Sequence, residues 1–174
     1  MQGNARYAAN EPDERDFSAG RAARLVGQYP IAAVLGCSDS RVVPDLVFDQ
    51  GLGDVFVVRV AGNIVNTDGL ASFEYAVEHL GVPLLMVLGH SNCGAVTEAL
   101  HAVRSRAKAI EPAVIAAHGR HPSDFLAATI EENVRLSMKR LMQESEILSE
   151  ALAQKKIAVS GGVYDLASGN VKLI

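Results

Sequence analysis

The sequence predicts an α/β domain built on a mainly parallel sheet flanked by helices, and three observations carry that reading. Four short apolar runs, at 31–35, 55–60, 84–88 and 157–159, have strand length and little polar interruption, as strands covered on both faces do. Segments with apolar residues at helical spacing alternate with them, which is the order of βα units. Two of the runs end in polar loops, Gly36-Cys37-Ser38-Asp39-Ser40-Arg41 and Gly89-His90-Ser91-Asn92-Cys93-Gly94, and ligands of such sheets sit beyond the strands' carboxyl ends.

Residues 13–28 read as a charged amphipathic helix with Phe17, Ala22, Leu25 and Val26 on its apolar side, stopped by the Tyr29-Pro30 step. That helix has no core of its own. The first strand, 31–36, leads into the Cys37 loop, with a short helix or turn over 42–48 behind it. Gly51-Leu52-Gly53 punctuates the chain before the second strand, 55–60, which Ala61-Gly62-Asn63 closes. Leu70, Phe73, Ala76, Val77 and Leu80 then keep helical spacing up to a stop at Gly81.

The third strand, 84–88, follows Pro83, and a helix begins at Gly94 with Ala95, Val96, Ala99, Leu100 and Val103. A polar, histidine-bearing loop is expected over 111–122, then helices over 124–142 and 146–154. Strand four, 157–159, is expected to end at Gly161-Gly162, with a terminal turn over 164–169. No linker or repeat divides the 174 residues, so residues 1–174 are read as one domain.

A formal charge of -4 and the lack of any Lys/Arg block exclude a nucleic-acid or anionic-membrane surface as the main partner and favour a small-molecule task. Residues 1–20 contain no apolar leader core, and no stretch approaches the roughly 18 apolar residues of a membrane span, so a cytoplasmic protein is expected. Two cysteines in a reducing cytosol point to metal binding or catalysis more than to a disulfide, and their surroundings decide which.

Cys37, His90 and Cys93 supply two thiols and an imidazole from two strand ends. Three such ligands with one position left open form the donor set of a catalytic zinc site, and thiolates select zinc over magnesium or calcium. Iron–sulfur binding would usually require a fourth cysteine. Asp39 and Arg41, two apart in the same loop, can pair while Asp39 still faces the open position. A carboxylate so paired stays ionised and acts only as an acceptor. It would accept a hydrogen bond from a zinc-bound hydroxide, holding that oxygen's lone pair toward an electrophile, and disfavour ligands that have no hydrogen to donate.

These residues resemble the signature pair of the β-class carbonic anhydrases, Cys-Ser-Asp-Ser-Arg at 37–41 with Gly-His-Ser-Asn-Cys-Gly at 89–94. The resemblance extends through Asp49 to Asp54, Phe56 to Arg59, Glu74 to Val77 and Tyr164-Asp165-Leu166. It implies reversible hydration of carbon dioxide to bicarbonate and a proton, by attack of zinc-bound hydroxide. One zinc per subunit would be held by Cys37, His90 and Cys93, with Asp39 and Arg41 as the catalytic dyad.

The resemblance also implies a four-stranded sheet in the order 2-1-3-4 and an obligate homodimer or a dimer of dimers, with active sites near the interface. Residues 1–28 would form a helical arm packing on the partner subunit. By offset from the ligands, Gln28 resembles the family's bicarbonate hydrogen-bonder, Phe56 and Tyr75 its apolar wall, and Gly94 a backbone donor to substrate.

In one branch of the family a tryptophan precedes the first cysteine by three residues within an inhibitory bicarbonate pocket, and the aspartate can close onto zinc at low pH. Val34 stands there in this chain, which contains no tryptophan, although Arg59 matches that pocket's arginine. Together with Gln28 this implies the open branch, in which Asp39 would ligate zinc only in a closed state.

Rival readings are a carbonyl sulfide or carbon disulfide hydrolase on the same scaffold, and a non-enzyme in which zinc staples a dimer. Nucleotide binding fails because Gly51-x-Gly53 lacks a third glycine, and a serine-hydrolase elbow fails because Cys93 stands where glycine is needed. His118 and His121 read as solvated loop residues, and His79 and His101 as helix-surface residues.

Overall fold

The computed structural model describes residues 1–101 and 105–174. One sheet carries β1 (Ala32–Gly36), β2 (Val55–Arg59), β3 (Leu84–His90), β4 (Ala158–Tyr164) and β5 (Val171–Leu173) in the order β2-β1-β3-β4-β5. Around it lie α1 (Gln2–Ala8), α2 (Phe17–Ala23), α3 (Pro44–Val47), α4 (Thr67–Glu78), α5 (Gly94–His101), α6 (Ser105–His118), α7 (Phe125–Glu144) and α8 (Glu146–Ala153). Val103, expected on the helix after Gly94, lies outside the described residues. None of the described helices is long and apolar enough to cross a membrane.

Period-two alternation sorts the strand residues onto two faces. Ala33, Leu35, Leu85 and Val87 pack with Phe73 and Ala76 of α4, Val134 and Leu141 of α7 and Leu148 of α8. Val34, Met86 and Leu88 point the other way, onto Val47 of α3, Tyr7 of α1 and Tyr164 of β4. Each fully buried leucine contributes about 1.5–3 kcal/mol, and burial on both faces is why these strands read as continuous apolar runs.

The first four strands are parallel in the order 2-1-3-4, and β5 is an antiparallel addition paired to Gly162–Tyr164. The turn expected over 164–169 folds the chain back, and its three-residue return strand is too short to show a period. Gly161-Gly162 do not end β4, which continues to Tyr164. They are there for close packing: a Cβ on Gly161 would stand 2.5 Å from Met138 Sδ and 2.9 Å from Val134 Cγ1, both on α7.

Three helical expectations change. The helix expected over 13–28 is confined to α2, where Asp16 caps the amides of Ser18 and Ala19, and it buries no residue. Phe17, Leu25 and Val26 stay exposed, so the apolar stripe past Ala23 finds little to pack on among the described residues. The loop expected over 111–122 is largely α6, whose Ile110, Ala113 and Ala117 are buried at helical spacing. Pro112 interrupts only its solvent side, where the carbonyl of Lys108, which loses its donor, can bond to water.

Helix α1 has no sequence signature, because its apolar content is one tyrosine and two alanines and its polar residues form no stripe. Tertiary contacts hold it: buried Asn4 donates to the carbonyls of Val47 (3.0 Å) and Gly169 (2.8 Å) and accepts from the amide of Val171 (2.8 Å). The segment from α1 to α2 is tied down at Asp49, whose carboxylate accepts from Arg6 and Arg15, each at 2.5 Å, and from the amide of Asp13.

These contacts, Arg15 foremost, hold the Asp49 carboxyl down at about 2. A group with a depressed folded-state pKa stabilises fully above its unfolded value near 4, and the contribution is lost as pH falls toward 2. Asp49→Asn is therefore expected to lower Tm at pH 7, and the difference from the parent protein is expected to shrink progressively from pH 4 to pH 2 in thermal melts.

Candidate metal centre

Strands β1 and β3 are adjacent and parallel, with Gly36 opposite Leu88. Cys37 and His90 therefore emerge side by side at the sheet's carboxyl edge. Cys93 joins them through a tight turn in which Asn92 takes a positive φ of 53°, just before α5 begins. The three ligand atoms lie within 4.8 Å of one another, and all three residues are buried.

The donor set fits zinc on its own geometry. The sulfurs of Cys37 and Cys93 are 4.0 Å apart, against about 3.8 Å for two thiolates at tetrahedral Zn–S bonds of roughly 2.3 Å. His90 Nδ1–H donates to the carbonyl of Ser91 at 2.9 Å, which leaves the Nε2 lone pair free toward the sulfurs. Nε2 is buried and has no hydrogen-bond partner among the described residues, a cost that a bound cation removes.

The thiols point the same way. Cys37 is held toward the thiolate, well below the ordinary thiol value, chiefly by the Cys93 S–H and further by the amides of Gly62 and Asp39. Cys93 is pushed up by that neighbouring thiolate and by burial. Without a cation the pair retains one proton, and a divalent cation takes its place.

Beside the triad, Asp39 Oδ1 accepts from Arg41 Nε (2.9 Å) and from the Arg41 amide (3.0 Å), while Oδ2 accepts from Nη2 (2.7 Å). The bidentate Arg41 contact holds the carboxyl well below the usual carboxylate range. Asp39 Oδ2 lies 3.8 Å from His90 Nε2, so the carboxylate borders the position the triad leaves open. Arg59 donates to the carbonyls of Cys37 (2.9 Å) and Asp39 (2.6 Å), so its guanidinium is committed to the loop.

Of the other expected site residues, only Gly94 lies at the centre, directly after Cys93 and exposed. Gln28 is exposed in the segment entering the amino end of β1, whereas Cys37 leaves the carboxyl end. Phe56 pairs with Ala33, three residues short of Arg59 opposite Gly36, roughly 10 Å along the strand. Tyr75, on α4, is 47% exposed with its ring 6.4 Å from that of Phe56. Within one chain, therefore, Gln28, Phe56 and Tyr75 do not come to the triad.

The histidines outside the triad, His79, His101, His118 and His121, are all exposed. One contributor had no sequence signal: the amide of Gly62 donates to Cys37 Sγ at 3.2 Å. A backbone donor leaves no side-chain pattern to read.

The carbonic anhydrase family profile matches residues 32–171. Carbonic anhydrase 2 of Mycobacterium tuberculosis is 39% identical over 184 residues, spanning 99% of this chain and 88% of that protein. Among solved structures, the β-carbonic anhydrase CcaA superposes with a TM-score of 0.79 at 27% identity, covering 90% of this chain and 86% of that one. One of two tetrameric β-carbonic anhydrases from Sordaria macrospora does so with a TM-score of 0.75 at 29% identity, covering 91% and 89%.

Removing one of three ligands abolishes tight binding. Cys37→Ala is expected to fall from one zinc per chain to a trace by elemental analysis after dialysis, while Cys93→Ser, which keeps a weaker ligand, is expected to retain an intermediate amount.

Proposed function

The chain belongs to the carbonic anhydrase family, in its β class, and from that premise we propose that it catalyses the reversible hydration of carbon dioxide to bicarbonate and a proton. One observation carries the reading: three buried ligands converge beside an arginine-held carboxylate, and no fourth protein ligand closes the set among the described residues. Zinc held there supplies the Lewis acidity that makes a hydroxide nucleophile from water near neutral pH. Cys37 and Cys93 balance its two charges, and His90 adds a neutral ligand.

Asp39 accepts a hydrogen bond from an O–H group at the open position and so orients that oxygen's lone pair toward the substrate carbon. Arg41 keeps Asp39 ionised, and Arg59 fixes the backbone on either side of Ser38. The commitment of both Asp39 oxygens to Arg41 supports the open reading, in which the carboxylate stays off the metal near neutral pH. It also opposes a zinc staple, which needs a fourth ligand.

The chain acts, in this reading, as a homodimer or a dimer of dimers. Exposed Phe17, Leu25, Val26, Tyr29 and Ile31 cluster in the segment from α2 to β1, and α2 buries nothing in its own chain. Gln28 and Tyr75 are exposed and lie away from their own triad, so a substrate-binding role for them, with Phe56, requires the partner's site. Leu25→Asp with Val26→Asp, which leaves the docking of α1 untouched, is the corresponding perturbation. A cytoplasmic location follows the same reading, since zinc-bound thiolates persist in a reducing compartment.

Stopped-flow carbon dioxide hydration is expected to be rapid for the zinc-loaded protein and abolished by a strong chelator. Asp39→Asn is expected to lower kcat/KM about 10- to 150-fold, the worth of one hydrogen bond to a charged group. Hydrolysis of carbonyl sulfide without hydration of carbon dioxide would overturn the assignment.

A further inference from the structure

The turn after β2 reaches the metal centre through Gly62, whose amide donates to Cys37 Sγ. This turn is conformationally demanding. Gly62 and Asn63 both take positive φ, 77° and 43°, and a Cβ on Gly62 would stand 2.9 Å from Ile110 Cδ1. Within its own segment it is closed by the Asn63 amide on the carbonyl of Val60 (2.8 Å).

Two side chains from far along the chain hold it from outside. Asn133 Nδ2 donates to the carbonyl of Gly62 at 2.7 Å, and Ser137 Oγ to that of Asn63 at 2.9 Å. They stand four apart on one face of α7 and are 1% and 2% exposed. Their placement is costly for stability alone: Asn133 Oδ1 and Asn63 Nδ2 are buried without partners among the described residues, a penalty an apolar side chain would avoid. Departures of that kind concentrate at functional sites.

We propose that Asn133 and Ser137 are positioning residues that aim the Gly62 amide at the Cys37 sulfur and so set how strongly that thiolate donates to the metal. The proposal rests on the reading of the triad as a zinc centre. A hydrogen bond to a ligating thiolate withdraws electron density from sulfur, as contacts behind a ligand generally tune the metal it holds. Neither residue touches substrate, and the effect passes through two carbonyls and one amide.

The test uses the full-length protein with cobalt(II) in place of zinc. In Ser137→Ala the thiolate-to-cobalt charge-transfer band is expected to shift to lower energy, with tetrahedral d–d bands retained. With zinc, kcat is expected to fall about tenfold at unchanged KM, and Ser137→Thr, which keeps the hydroxyl, is expected to restore the parent band. Asn133→Leu, similar in volume and without the donor, reports the same shift should Ser137→Ala fail to fold. A lower Tm with an unmoved band in either variant overturns the positioning role and leaves the metal centre standing. Failure of the parent protein to take up cobalt with thiolate bands removes the metal centre itself, and the proposal with it.

Discussion

Two buried sulfurs 4.0 Å apart cannot both ionise in the absence of a cation, and that constraint governs the carboxyl edge of the sheet. Cys37, Cys93 and His90 together form a site in which the two sulfurs share one proton and Nε2 stays unpartnered among the described residues until a divalent ion takes that proton's place. Everything nearby serves to keep those atoms at bonding separation while one direction stays open. The parallel pairing of β1 with β3 sets the spacing of the two loops, and the turn at Asn92 brings the third ligand back.

Charge around the site is arranged in layers. Closest in, the Gly62 and Asp39 amides point at the Cys37 sulfur. Asp39 borders the open position, held by Arg41 through a fork of two bonds, and Arg59 grips the backbone beneath them both. An arginine engaged with two carbonyls is part of the loop's architecture, although its remaining N–H groups are exposed.

The elements that could be read in advance were those with a strong local period or a chemical signature. Four strands showed as apolar runs because both faces of the sheet are covered, and the triad showed because thiol and imidazole groups at strand ends have few other uses. Helix α1 was hidden because Asn4 is fixed by carbonyls at positions 47 and 169, which nothing within residues 1–8 reveals. Helix α6 was hidden by Lys108, Glu111, Pro112 and His118, which all lie on its exposed side. Gly161 and Gly162 looked like a stop and are close-packing sites, Gly161 under α7 and Gly162 against Met86 and Val171, since glycine has the same local signature in either role.

By itself, the sequence determined the fold class, the candidate ligands Cys37, His90 and Cys93, and the Asp39–Arg41 pair, because each shows as a residue type or short spacing at the end of an apolar run. Tertiary structure alone decided the fifth strand, the docking of α1, the clamp of Arg59 on the Cys37 loop and the hold of Asn133 and Ser137 on the Gly62 turn. All but the fifth strand join backbone atoms to side chains 20 to 167 residues away. A backbone carbonyl or amide is the same at every position, so only the folded chain can say which one a distant side chain will meet.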